Sequence, residues 1–137
     1  TGHQQNPTTG YNIKGDPAGK IDLEALCKAM GIGRVRVVDP YNLAQCEQAL
    51  REELAADEPS VIIVRRPCVL LKQVKTAAPL AVDPAKCVGC KACMKLGCPS
   101  ISIRAGKAHI DETLCVGCGV CKELCRMDAF TGKTMMD

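Results

Sequence analysis

Eight of the eleven cysteines in this 137-residue chain lie between positions 87 and 125, in two runs of matching rhythm. The first is Cys87-x2-Cys90-x2-Cys93-x4-Cys98-Pro99, and the second is Cys115-x2-Cys118-x2-Cys121-x3-Cys125. Thiolates at i, i+3 and i+6 wrap one side of a cubane, and a fourth must arrive from elsewhere to complete the set. Zinc sites use pairs of Cys-x2-Cys at longer separations, with four ligands rather than two runs of four. An odd total suits a fully paired disulfide framework poorly, and a reducing compartment opposes one. The pattern therefore points to two 4Fe–4S clusters and electron transfer. Gly89, Gly117 and Gly119 suit loops whose N–H groups must approach cluster sulfides closely.

Residues 80–130 resemble the two-cluster bacterial ferredoxins. In that pattern the fourth cysteine of each run ligates the other cluster. The resemblance thus implies one cluster on Cys87, Cys90, Cys93 and Cys125, and a second on Cys115, Cys118, Cys121 and Cys98. Two departures stand out: one extra residue before Cys98, with Gly97 as the insertion, and Arg126 where proline is usual.

The elements that must hold these thiols fall in two parts. Residues 1–66 read as the C-terminal part of an α/β domain, 67–79 as a connector, and 80–137 as a small α+β bacterial ferredoxin-like domain. In the first part, residues 22–30 put Leu23, Leu26, Cys27 and Met30 on one helical face, with Asp22 and Gly31 as caps. A strand at 35–38 follows, then a helix from about 43 to 56. Asn42 and Gln45 there come close to a capping box, and Leu43, Cys46, Leu50 and Leu54 form the apolar stripe. The run Val61–Val64 suits a strand covered on both faces. Strand, helix and strand at this spacing predict a βαβ unit with parallel strands, and two strands alone do not complete a sheet.

In the second part, residues 81–90 match 109–118 at an offset of 28, which implies two similar halves. Between them, 101–103 and 107–110 predict an antiparallel pair turning around Gly106. Phe130 is the sole aromatic residue of this part, so its core is poor. Domains so small usually need metal or staples, and ligation would supply folding free energy. Residues 79–137 carry eight basic and six acidic side chains. With two oxidised cubanes contributing about −2 each, the loaded part becomes net negative.

The whole chain has 18 Lys and Arg against 15 Asp and Glu. That mild balance favours neither nucleic acid nor a membrane surface, and no apolar stretch is long enough to span a bilayer. The start lacks an initiator Met and a signal-peptide pattern, so a cytoplasmic piece of a longer protein is expected.

The opening Thr1-Gly2-His3-Gln4-Gln5-Asn6-Pro7-Thr8-Thr9 resembles a loop of the 2-oxoacid:ferredoxin oxidoreductases, in the version found in their indolepyruvate branch. His3 and Asn6 depart from the broader pattern. The resemblance extends over nearly the whole chain: the end of a thiamine diphosphate-binding domain, then a fused two-cluster ferredoxin. It implies thiamine diphosphate and Mg²⁺ in the complete enzyme, with Thr1, Gly2 and Gln4 near the cofactor. It further implies oxidative decarboxylation of an aryl 2-oxoacid with coenzyme A, a β subunit, and an external ferredoxin as electron acceptor. The Gly-Asp-Gly/Ser segment that would hold Mg²⁺ is not in the sequence, so the chain alone is expected not to be catalytic. Two other readings stay open: an electron-transfer subunit with a non-catalytic docking domain, and a structural metal module. His3 and His109 read as structural, Cys27 and Cys46 as buried hydrophobes, and Cys68 as a free thiol. Arg65, Arg66 and Lys72 fit either a docking site or a solvated connector.

Overall fold

The computed structural model describes residues 5–71 and 74–136. It divides into two compact units, Thr1–Leu71 and Lys72–Asp137, with the boundary inside the segment read as a connector. No helix among the described residues is long and apolar enough to cross a membrane.

The first unit contains α1 (Leu23–Ala29), β1 (Arg34–Val38), α2 (Leu43–Leu54) and β2 (Ser60–Val64). Strands β1 and β2 are parallel, in register from Arg34 opposite Ser60 to Val38 opposite Val64, so the βαβ unit forms as its spacing predicts. Asp22 begins α1 by accepting hydrogen bonds from the amides of Glu24 and Ala25, which satisfies two of the donors a helix start leaves open. These bonds hold the Asp22 carboxyl below its usual range. Asn42 caps α2 through the amide of Gln45. The expected capping box does not close, because the Gln45 side chain accepts from the Asp39 amide instead.

The buried stripe of α2 also differs from expectation. Leu50 and Leu54 are exposed, while Ala49 and Glu53 are buried. Glu53 faces β1, where Arg34 donates to it at 2.8 and 3.1 Å and Arg36 at 3.0 Å. An ion-paired carboxylate thus occupies the contact that periodicity assigns to leucine. Strand β2 is not covered on both faces: Ile63 is buried and Val64 is 61% exposed. Arg65 pairs with Glu24, while Arg66 pairs with Asp39 and stacks over the Tyr41 ring at 4.0 Å, so both serve this unit's own structure.

The second unit contains β3 (Ala81–Val82), a 3₁₀ helix (Ala92–Leu96), β4 (Ile101–Arg104), β5 (Lys107–Ile110), α3 (Val120–Leu124) and β6 (Phe130–Thr131). Strands β4 and β5 form the expected hairpin, with Ile101 opposite Ile110. Its turn residues Ala105 and Gly106 both have positive φ, the tight-turn geometry whose twist matches a hairpin. Strand β3 pairs antiparallel with β6, Val82 opposite Phe130. Leu80, Ile101, Ile110 and Phe130 form the core together with the thiols of Cys93 and Cys121.

Candidate metal centre

Strand pairing decides which thiols meet. β3 leads into the first cysteine run and pairs with β6, which follows Cys125. β5 leads into the second run and pairs with β4, which follows Cys98. Each sheet therefore delivers the fourth cysteine of one run to the first three of the other. Cys87, Cys90, Cys93 and Cys125 line one cavity of about 370 Å³, its solvent-open part included. Apolar Ile103, Ala108 and Phe130 complete its walls. Around the second run, Cys121 is buried with the Cys118, Cys115 and Cys98 thiols close enough to act on it electrostatically.

Both halves present their runs in the same way. The Asp83 side chain accepts from the Ala85 amide and its carbonyl from the Cys87 amide. Asp111 repeats this with Thr113 and Cys115, one repeat unit later. The hydrogen bonds from Thr113 hold the Asp111 carboxyl below its ordinary value. The extra residue in the first run has a structural reason. Gly97 closes the 3₁₀ helix in the left-handed conformation, φ 67°, before Cys98, whereas α3 runs straight into Cys125. Gly89 has φ 70°, and a Cβ there would lie 2.2 Å from the Gly106 carbonyl oxygen, so only glycine fits.

The thiols differ electrostatically. Amide N–H groups of Ala108 and Gly89 lower the Cys87 pKa, helped by the Lys107 ammonium, which donates to the Cys87 carbonyl. Burial raises Cys93, with neighbouring Cys87, Cys125 and Cys90 adding to it. Burial and the adjacent Cys118 and Cys115 push Cys121 up to about 12. Thiols so crowded resist becoming thiolates together unless a cation compensates them. Ala129 N–H points at the Cys125 sulfur at 3.5 Å and Ala108 N–H at the Cys87 sulfur at 3.4 Å, bonds of the kind that tune a cluster's potential. Among the described residues no three His, Cys, Asp or Glu side chains are grouped to hold a single metal ion. This all-sulfur set with inward amides suits an iron–sulfur group.

Three residues were not singled out by sequence reasoning. Lys107 is one. Ser100, 2% exposed, lies with its hydroxyl 3.1 Å from the Cys98 sulfur. Lys91 lines the first cavity with φ 60°, at the position where the second half has Gly119, and the repeat offset was the signal for it. Thr1, Gly2, His3 and Gln4 lie outside the described residues. His109 is half-buried in β5 opposite Ser102. Cys27 is buried and Cys68 exposed. Cys46 is half-buried and donates its thiol to the Asp39 carbonyl at 3.2 Å, so it does more than fill space.

Residues 1–64 match the family model of the thiamine pyrophosphate enzyme C-terminal TPP binding domain. Residues 108–131 match that of the 4Fe-4S binding domain. The chain is 39% identical, across 95% of its length, to indolepyruvate oxidoreductase subunit IorA of Pyrococcus abyssi. Identity to the same subunit of Thermococcus kodakarensis is 38% across 95%, and of Methanothermobacter thermautotrophicus 33% across 91%. The chain spans about a fifth of these relatives, 21%, 21% and 20% of their lengths respectively. It is thus similar, over nearly all its own residues, to a segment of IorA, and it joins a thiamine-enzyme domain to an iron–sulfur domain.

Proposed function

We propose that this IorA-like chain carries electrons through two 4Fe–4S clusters, as part of a thiamine diphosphate-dependent 2-oxoacid:ferredoxin oxidoreductase acting on an aryl 2-oxoacid such as indolepyruvate. Cys87, Cys90, Cys93 and Cys125 would hold one cluster, and Cys115, Cys118, Cys121 and Cys98 the other. The observation that carries the reading is the convergence of Cys125 with the first run on a single cavity, 32 positions beyond Cys93 in the chain. In the complete enzyme thiamine diphosphate, with Mg²⁺, would supply the carbanion equivalent for decarboxylation, and coenzyme A would take the acyl group. Thr1, Gly2 and Gln4 would contribute to that side, a reading supported by the match of residues 1–64 to a thiamine-enzyme domain. A β subunit and an external ferredoxin complete the proposed assembly, in the cytoplasm.

This chain's own residues have a narrower task. The thiols would hold two redox centres that share one core through Cys93 and Cys121, the inward amides would offset thiolate charge, and Ile103, Ala108 and Phe130 would limit water at the first. Anaerobic reconstitution should give eight irons and eight sulfides per chain, and stoichiometric zinc would overturn the assignment. In the full-length protein with its partner subunit, Cys125→Ala should suppress ferredoxin reduction more than carbon dioxide exchange. Exchange needs the thiamine site but no net electron export. If no 2-oxoacid reduces the clusters while an unrelated donor does, the carrier with a docking domain stands instead.

A further inference from the structure

The two halves repeat each other in fold but not in cover. At the second run, Gly117 and Gly119 are buried, and a Cβ on Gly117 would strike Ala77 and Ala78 of the incoming segment. The C-terminal segment lies over the same place. Met135 N–H donates to the Gly117 carbonyl at 2.9 Å, and Thr134, 8% exposed, closes against Gly119. At the first run the β4–β5 turn lies against Gly89 and Lys107 reaches the Cys87 carbonyl, yet Cys90 is exposed, Val88 is 60% exposed and Met127 is 44% exposed.

Charge is uneven in the same sense. Three exposed basic residues, Lys86, Lys91 and Arg126, sit directly beside Cys87, Cys90 and Cys125 in sequence, and one acidic group, Asp128, lies among them, 3.7 Å from the Lys86 ammonium. Among the immediate neighbours of Cys98, Cys115, Cys118 and Cys121 there is one, Lys122, which donates to the Gly132 carbonyl. Lys91 holds its place in a left-handed conformation, φ 60°, that costs a non-glycine residue free energy. Its counterpart in the second half is glycine, so the backbone does not ask for a lysine. Once loaded, the unit is net negative by its own count of side chains and thiolate-bound clusters. An acidic protein would therefore be repelled from it except where cations gather.

We propose that the centre framed by Cys87, Cys90, Cys93 and Cys125 is the electron exit, and that Lys86, Lys91 and Arg126 around it form the docking surface for an acidic one-electron carrier protein. The inference rests on the two-cluster reading above. One electron passes from the reduced centre to the oxidised carrier, so that the centre is oxidised by one and the carrier reduced by one. No bond forms and no proton moves. The exposed apolar Val88 and Met127 would give the contact its dry centre, and the cations its on-rate and orientation.

The test uses the chain loaded with iron and sulfide, assayed for both, reduced with dithionite and mixed in stopped flow with an oxidised acidic two-cluster ferredoxin. Wild type should show a second-order rate that falls steeply with added salt. The Lys86→Gln/Lys91→Gly/Arg126→Gln variant should be slower by about tenfold at low ionic strength, with a flattened salt dependence. Its rate with hexaammineruthenium(III), a small cation that needs no acidic docking, should not fall. A Lys75→Gln/Lys133→Gln variant, which removes charge near the covered centre, should leave the ferredoxin rate unchanged. Zero-length carbodiimide coupling should join Lys86 or Lys91 to a carboxylate of the ferredoxin. A larger loss from Lys75→Gln/Lys133→Gln, a salt-independent wild-type rate, or cross-links only to lysines near the second run would each overturn the proposal. Absence of iron from the loaded chain would refute the two-cluster reading itself, and this inference with it. Reduction by dithionite bypasses thiamine, so failure of the decarboxylase reading alone leaves the result standing.

Discussion

Gly89 and Gly97 provide a matched pair for separating backbone strain from close approach around the first run. Their φ values are nearly equal, 70° and 67°, so alanine is strained alike at both. A left-handed conformation costs a non-glycine residue about 1–2 kcal/mol, partly offset by ~0.4–1 kcal/mol of lost unfolded-chain entropy. The positions differ in what a Cβ meets: the Gly106 carbonyl oxygen at 2.2 Å from position 89, and nothing within 4 Å at position 97. That oxygen belongs to the tight β4–β5 turn and cannot swing aside as a flexible side chain does, so displacement adds about 1–3 kcal/mol. Gly97→Ala should therefore cost about 1 kcal/mol, and Gly89→Ala about 3 kcal/mol. The assay is anaerobic release of iron from the loaded chain to a coloured chelator. Strain relieved on local opening speeds release by tenfold per ~1.4 kcal/mol, giving under tenfold for Gly97→Ala and on the order of a hundredfold for Gly89→Ala. Equal rates for the two variants would refute the argument, because the contact with Gly106 would then contribute nothing.

Other perturbations reach the remaining thiols. Cys98→Ala should remove the cluster of the second run and leave that of Cys87, Cys90 and Cys93, seen as loss of spin coupling in the paramagnetic resonance of the reduced protein; an unchanged coupled spectrum would exclude Cys98 as a ligand. Cys27→Ala should leave that spectrum intact and cost on the order of 1 kcal/mol in packing. In the metal-free chain, the folded state holds the Cys121 thiol protonated, with its pKa raised from 9.0 to about 12. A raised folded-state value contributes stability that is complete below the unfolded pKa and lost as pH rises through the folded one. Amide exchange around α3 should therefore accelerate between about pH 9 and 12 and do so less in Cys121→Ala.

What could be read in advance follows the range of each interaction. Asp22 and Asn42 were legible as caps because a cap is made within three residues of its own position. The hairpin was legible because Gly106 sits between two short apolar runs that alternate in register. The exposure of Leu50 and Leu54 was not legible. Periodicity selects a helix face by hydrophobicity, and here Glu53 is drawn inward by Arg34 and Arg36, two strand residues at 19 and 17 positions' remove. The β3–β6 pair also escaped, since two residues carry no period. Spacing alone identified eight candidate ligands, but their sorting into two sets came from resemblance; Lys91 could have been found from its repeat counterpart Gly119, whereas Lys107 became visible only through a long-range contact.

The strand exchange gives the proposed crossing of ligands a physical origin. Were each run to keep its own fourth cysteine, β3 would have to pair with the strand after Cys98, and β5 with the strand after Cys125. Instead β4 and β5 are joined by a tight turn of Ala105 and Gly106, the cheapest connection available, and this fixes Cys98 beside the second run. The two outer strands of the unit, β3 and β6, pair with each other, and β6 carries Cys125 to the first run. Cys93 and Cys121 stand inside the core that these pairings create, among Leu80, Ile101, Ile110 and Phe130. A core with so little hydrocarbon gains little from burial alone, and it surrounds thiols that resist ionising together. Filling the two centres would therefore relieve the electrostatic conflict and complete the fold in one event. On this argument the unit folds around its redox centres instead of folding first and binding them afterwards.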